Sequence, residues 1–86
     1  MRLDKFLKIS RLIKRRTLAK EVADQGRITI NGNQAKASST VAIGDELTIK
    51  FGQKLVTLEV VSLKETVKKD EASMLYNVIK EEKINA

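Results

Sequence analysis

A chain of 86 residues with a net charge of +6 and a hydrophobic fraction of 42% has the size of one small domain, with apolar residues enough for a modest core. It contains no cysteine and no histidine, which excludes disulfides, thiolate catalysis and cysteine-based metal sites, and removes the commonest general base. Its apolar runs span only a few residues, far short of the ~20 of a transmembrane helix, and the charges of MRLDKFLKIS interrupt any secretory h-region, so the expectation is a cytoplasmic protein with no membrane partner.

Leu3, Phe6 and Leu7 recur at i, i+3, i+4, the spacing of one helical face, and predict a short helix over residues 3–9. Asp4 stands near its start, where a carboxylate suits the exposed N–H groups and the helix dipole. A second helix is expected from Arg15 to Gln25, with Leu18, Ala19, Val22 and Ala23 as its buried stripe. Thr17 is a candidate N-cap, although Lys20 three residues on denies it a reciprocal capping box. Gly26 follows the helix as a left-handed C-terminal cap.

The period then changes to two. Arg27-Ile28-Thr29-Ile30 alternates, and Asn31-Gly32 is a hairpin signal of type I′, with a short return strand over Asn33 to Lys36. A loop over Ala37 to Thr40 leads to Val41-Ala42-Ile43 and a turn at Gly44-Asp45. Strands are expected at Leu47 to Phe51 and Leu55 to Val61, joined at Gly52-Gln53-Lys54. Lys64 to Asp70 is polar and reads as a loop. Ala72, Leu75, Tyr76 and Ile79 return at helical spacing and predict a C-terminal helix reaching Glu82. The expected fold class is α+β: two short N-terminal helices packed on a small mostly antiparallel sheet, with a C-terminal helix. Residues 1–62 form the domain with its sheet, and 63–86 pack on it or trail it.

Chemistry is sparse. The acidic residues fall in no acid/base or metal motif, the four glycines are isolated, and Ser38, Ser39 and Thr40 read as turn residues with no base to activate them. No enzyme, metal or cofactor is expected. The basic residues are organised instead. Residues 1–36 hold ten Lys or Arg against three Asp or Glu, whereas residues 37–86 hold seven against eight. Charge so segregated points to a polyanionic partner.

Arg11, Lys14, Arg15, Arg16 and Lys20 bracket the start of the second helix. A solvated face is the plain reading of such a run. Against it, cations at a helix N-terminus oppose the dipole, at about 0.3–1 kcal/mol each at low salt, and an external phosphate would resolve the mismatch. Arg2, Lys5 and Lys8 recur along the first helix, where a polar helix face and a direct contact are equally good readings for the two lysines. Arg27 and Lys36 flank the hairpin and extend the patch. Only Phe6, Phe51 and Tyr76 are aromatic, too few for a reader of unstacked bases, which favours recognition of backbone and shape. Charge alone does not separate RNA from DNA.

The order RLDKFLKISRLIKRRTLAKEVADQGRITINGNQAKAS resembles the S-four RNA-binding domain. The resemblance runs through Arg2-Leu3-Asp4, Leu7, Arg16 before Leu18-Ala19, Gly26, Arg27 to Ile30 and Asn31-Gly32, and continues in IGDELTI at Ile43 to Ile49. It covers residues 2–51. It implies an RNA face on the two helices and the adjoining loop, with Arg2 and Arg16 at its centre and Arg11, Lys14, Arg15 and Lys20 beside them. Asp4 then orients the cations or caps the helix, and Gly26, Asn31 and Gly32 support the face.

Whole-length, the chain resembles the small stand-alone branch of that family related to heat-shock protein fifteen, and within it the Gram-positive ribosome quality-control branch. That resemblance implies large-subunit ribosomal RNA and peptidyl-tRNA as targets, support of C-terminal alanine tailing, and a partner that recruits charged tRNA. The expected working unit is a monomer. A ribosome-assembly factor or RNA chaperone on precursor RNA, and the RNA-binding subunit of a split enzyme, are the competing readings.

Overall fold

The computed structural model describes residues 1–64 and 68–83. Helices α1 (Leu3–Ile9) and α2 (Arg16–Asp24) precede strands β1 (Ile28–Ile30), β2 (Asn33–Gln34), β3 (Glu46–Phe51) and β4 (Lys54–Val60); a 3-10 helix (Lys69–Leu75) leads into β5 (Tyr76–Lys83). The α+β class stands as expected.

Leu3, Phe6 and Leu7 of α1 are fully buried and meet Ile28, Leu47, Ile49 and Leu58 of the sheet in a single core cluster. The helix stops at Ser10, whose hydroxyl donates to the Leu7 carbonyl at 3.2 Å, and Arg11 follows in the left-handed region at φ 60°. On α2 the expected stripe is narrower than its spacing suggests. Ala19 and Ala23 are buried and Val22 is half-buried, but Leu18 is 48% exposed. Two alanines at the contact let the helix lie close to the core, which leaves the leucine one flank away from it. Gly26, at φ +77°, ends the helix through two bonds: its own N–H to the Ala23 carbonyl at 3.0 Å, and the Arg27 N–H to the Val22 carbonyl at 3.3 Å. These satisfy carbonyls that the helix end would otherwise leave open.

The sheet is antiparallel throughout, in the order β2-β1-β3-β4-β5. Asn31 and Gly32 both have positive φ, 52° and 85°, as the type I′ turn requires. Asn31 also reaches across the fold: its amide donates to Asp45 at 3.1 Å and its side-chain oxygen accepts the Glu46 N–H at 2.9 Å. The hairpin turn is thereby held to the entrance of β3. The return strand is shorter than the expected Asn33 to Lys36, because Ala35 and Ala37 turn into the core. Leu47↔Leu58 and Ile49↔Val56 pair on the inner face. Thr29, Thr48 and Thr57 form a polar row on the other.

The expected C-terminal helix is corrected by the structure. Ala72 and Leu75 are buried in the 3-10 helix, and Tyr76–Lys83 is a strand paired with β4 from Val60↔Tyr76 to Lys54↔Lys83. The i, i+3 spacing of Ala72 and Leu75 is equally the period of a 3-10 helix. β5 is an edge strand on which only Tyr76 is even half-buried, so it lacks the alternation that marks a half-buried strand. Its lysines and glutamates favour helix locally, but backbone pairing with β4 decides the outcome. The predicted polar loop at Lys64 to Asp70 falls partly outside the described residues, and from Lys69 the chain is already helical.

Candidate nucleic-acid interface

The start of the chain is stitched into the fold before α1 begins. Arg2 bridges Thr40 in antiparallel fashion, the Leu3 N–H donates to the Ser39 carbonyl at 2.8 Å, and the Val41 N–H donates to the Met1 carbonyl at 2.8 Å. The loop itself is a tight turn, with the Lys36 N–H on the Ser39 hydroxyl at 2.9 Å. Asp24, in the last turn of α2, accepts the Ala37 N–H at 3.1 Å. A carboxylate at a helix C-terminus opposes the dipole; here it gains a backbone donor and fixes the loop against α2. The mismatch of Asp24 with the helix dipole is the signal in the sequence for such a contact.

Asp4 lies where α1, α2 and this loop meet. It is 3% exposed. Its Oδ1 accepts the Lys5 N–H at 2.8 Å, so it caps the first turn of α1. The same carboxylate pairs with two guanidiniums: Arg2 Nε at 3.3 Å and Arg16 Nε at 3.5 Å. Both arginine side chains remain about half exposed, at 52% and 48%. One internal carboxylate against two guanidiniums leaves an uncompensated positive charge, held in place and facing solvent.

The other candidate cations sort around this centre. Lys8 is one helical turn beyond Asp4 and Lys20 one turn beyond Arg16, so each extends its helix along the same side. Arg11, Arg27 and Lys36 are exposed, and Lys5 is half-buried. Arg27 follows the far end of α2, about 13 Å along the helix from Arg16, and its carbonyl is fixed by the Lys50 N–H at 2.9 Å. Lys14 and Arg15 separate from the rest. They line a groove of about 380 Å³ with Leu12, Ile13, Leu18, Val22 and Phe51.

The N-terminus of α2 has no side-chain cap. Its N-cap residue is Arg15 rather than the anticipated Thr17, and the first turn carries no acid. The uncapped N–H groups at this helix end and the Arg15 and Arg16 guanidiniums next to them in the chain are both suited to phosphate oxygens. Among the described residues, no group of three side chains suits a metal ion, and no helix is long and apolar enough to cross a membrane.

Such an arrangement has the chemistry to receive an anionic backbone. A family model, the S4 domain, matches residues 1–47, and the chain belongs to that S-four family. A protein of Bacillus subtilis (strain 168), the RQC P-site tRNA stabilizing factor, is 75% identical over 84 residues, covering 98% of both chains. A protein of the same name from Helicobacter pylori (strain 26695) is 37% identical over 73 residues, covering 81% of this chain and 87% of its own. Among solved structures, the trimeric heat shock protein 15 of Vibrio cholerae superposes with a TM-score of 0.84 at 33% identity, covering 91% of this chain and 80% of that one.

Proposed function

We propose that this protein is a non-catalytic RNA-binding factor of the large ribosomal subunit. It holds peptidyl-tRNA in the P site of stalled subunits during ribosome-associated quality control. In that role it supports C-terminal alanine tailing, works in the cytoplasm as a monomer on the particle, and cooperates with a factor that recruits charged tRNA. The name carried by relatives of up to 75% identity supports the tRNA. The observation that carries the site is the pair of half-exposed guanidiniums, Arg2 and Arg16, joined by one buried carboxylate.

The RNA face has Arg2 and Arg16 at its centre and Lys5, Lys8, Arg11, Lys20, Arg27 and Lys36 around it, with Lys14 and Arg15 at its border. Asp4, Gly26, Asn31 and Gly32 keep it in shape. Phosphate contacts supply affinity, and the shape of the ribosomal site supplies specificity. Neutralising about five phosphates gives a log–log salt slope of roughly −3.5 to −4.5. The test is a salt titration of binding to large subunits carrying tRNA. Arg16→Ala weakens binding and flattens the slope by about 0.7–0.9. Parental affinity and slope in that variant would show that the face lies elsewhere.

A further inference from the structure

The groove beside α2 lies on the opposite flank from the guanidinium pair. At 100° per residue, Leu18 is turned about 200° from Arg16 around the helix axis. Thr17, Lys20, Glu21, Asp24 and Gln25 line a polar surface on one side of α2. Leu12, Ile13, Leu18, Val22 and Phe51 line the apolar groove on the other, and the charged residues lining it are Lys14 and Arg15. Leu18 is the largest departure on α2 from its own amphipathic pattern, a leucine 48% exposed within a basic segment.

We propose that this groove docks a protein partner through an amphipathic segment whose apolar side chains are flanked by carboxylates. Three observations favour that occupant. The floor is apolar, as helix-in-groove recognition requires. The rim is cationic and no acid lines the groove, so a partner rich in Asp and Glu is matched in charge. Apart from Lys14 and Arg15 the lining offers a nucleic acid no polar side chain, and its remaining five residues suit apolar anchors. Because the groove faces away from Arg2, Asp4 and Arg16, the protein segment and RNA can be held together. The chain then links an acidic protein to a nucleic acid across one nine-residue helix.

The full chain, carrying a photo-crosslinking amino acid at position 18 or separately at position 12, is irradiated in its own cells and the adducts are mapped by mass spectrometry. The expected result is an adduct from both positions to one protein, at a segment with apolar residues at helical spacing beside Asp or Glu. Adducts to RNA, to a second copy of this chain or to a segment without acids, or no adduct from either position, would overturn the proposal. In parallel, Leu18→Ser is measured on purified tRNA-bearing subunits. Its RNA affinity stays within twofold of the parent and its salt slope is unchanged, whereas a loss there assigns the groove to RNA. Arg16→Ala in the same assay reports on the RNA face independently, so failure of either reading is recognised separately.

Discussion

Asp4 and Arg16 stand twelve positions apart in the sequence, yet the carboxylate of one lies 3.5 Å from the guanidinium Nε of the other, joining the first turns of the two helices. Arg2 approaches the same carboxylate at 3.3 Å. Asp4 thus sets the positions of two cations: Arg2 engages it through both Nε and Nη2, and both guanidiniums stay half exposed and open to an incoming anion.

Asp4→Asn removes the charge and retains the shape. Losing hydrogen bonds to charged partners costs about 1.5–3 kcal/mol of stability, and half-exposed arginines place this site at the lower end. RNA affinity falls because Arg2 and Arg16 lose their alignment, while the salt slope stays near the parental value because no phosphate contact is deleted. A denaturant melt and a salt titration together check this. A slope flattened by a full contact would show that an arginine had disengaged altogether.

Arg11 occupies the left-handed position after α1 at φ 60°, with its N–H on the Lys8 carbonyl at 3.0 Å. Glycine is the residue suited to such a cap, and a side chain there costs about 1 kcal/mol. Arg11→Gly raises stability by up to about that amount, a melting temperature increase of roughly 4–8 °C for a domain of this size. It also lowers RNA affinity. A variant gaining stability with binding intact would remove Arg11 from the interface.

Gly26 makes the matching cap on α2, and here the glycine is required. A Cβ at this position would meet the Gln34 amide nitrogen, and φ +77° is unfavourable for any side chain. The Gln34 side chain is flexible and exposed, so backbone strain dominates the cost. Gly26→Ala destabilises by about 1–2 kcal/mol, measurable as a shifted urea midpoint with an unchanged m-value.

The contrast between those two caps shows what local sequence carries. Both helices, the glycine cap and the Asn31-Gly32 turn depend on residues within a few positions of one another, and each is legible from spacing alone. The role of Asn31 at the entrance of β3 is not, since its partners Asp45 and Glu46 lie more than a dozen residues on. The same holds for the site. The basic cluster is visible as composition, and Arg2, Arg16 and the orienting role of Asp4 as what the family resemblance implies, but that one carboxylate takes both guanidiniums needs the packing of α1 on α2. Leu18 and β5 depart from the expectation of their spacing for one reason: amphipathic spacing reports a preferred face, and burial of that face depends on which neighbour covers it. Small alanines took the core contact on α2, and β4 claimed the C-terminal segment as a strand.

β5 has a consequence for the behaviour of the chain in concentrated solution. Its Lys80, Glu81, Glu82 and Lys83 read the same in both directions along the sheet border. Two copies meeting antiparallel about the midpoint of that quartet would set lysine opposite lysine and glutamate opposite glutamate, a repulsive register. The border nearest the C-terminus thus discourages that two-fold self-pairing.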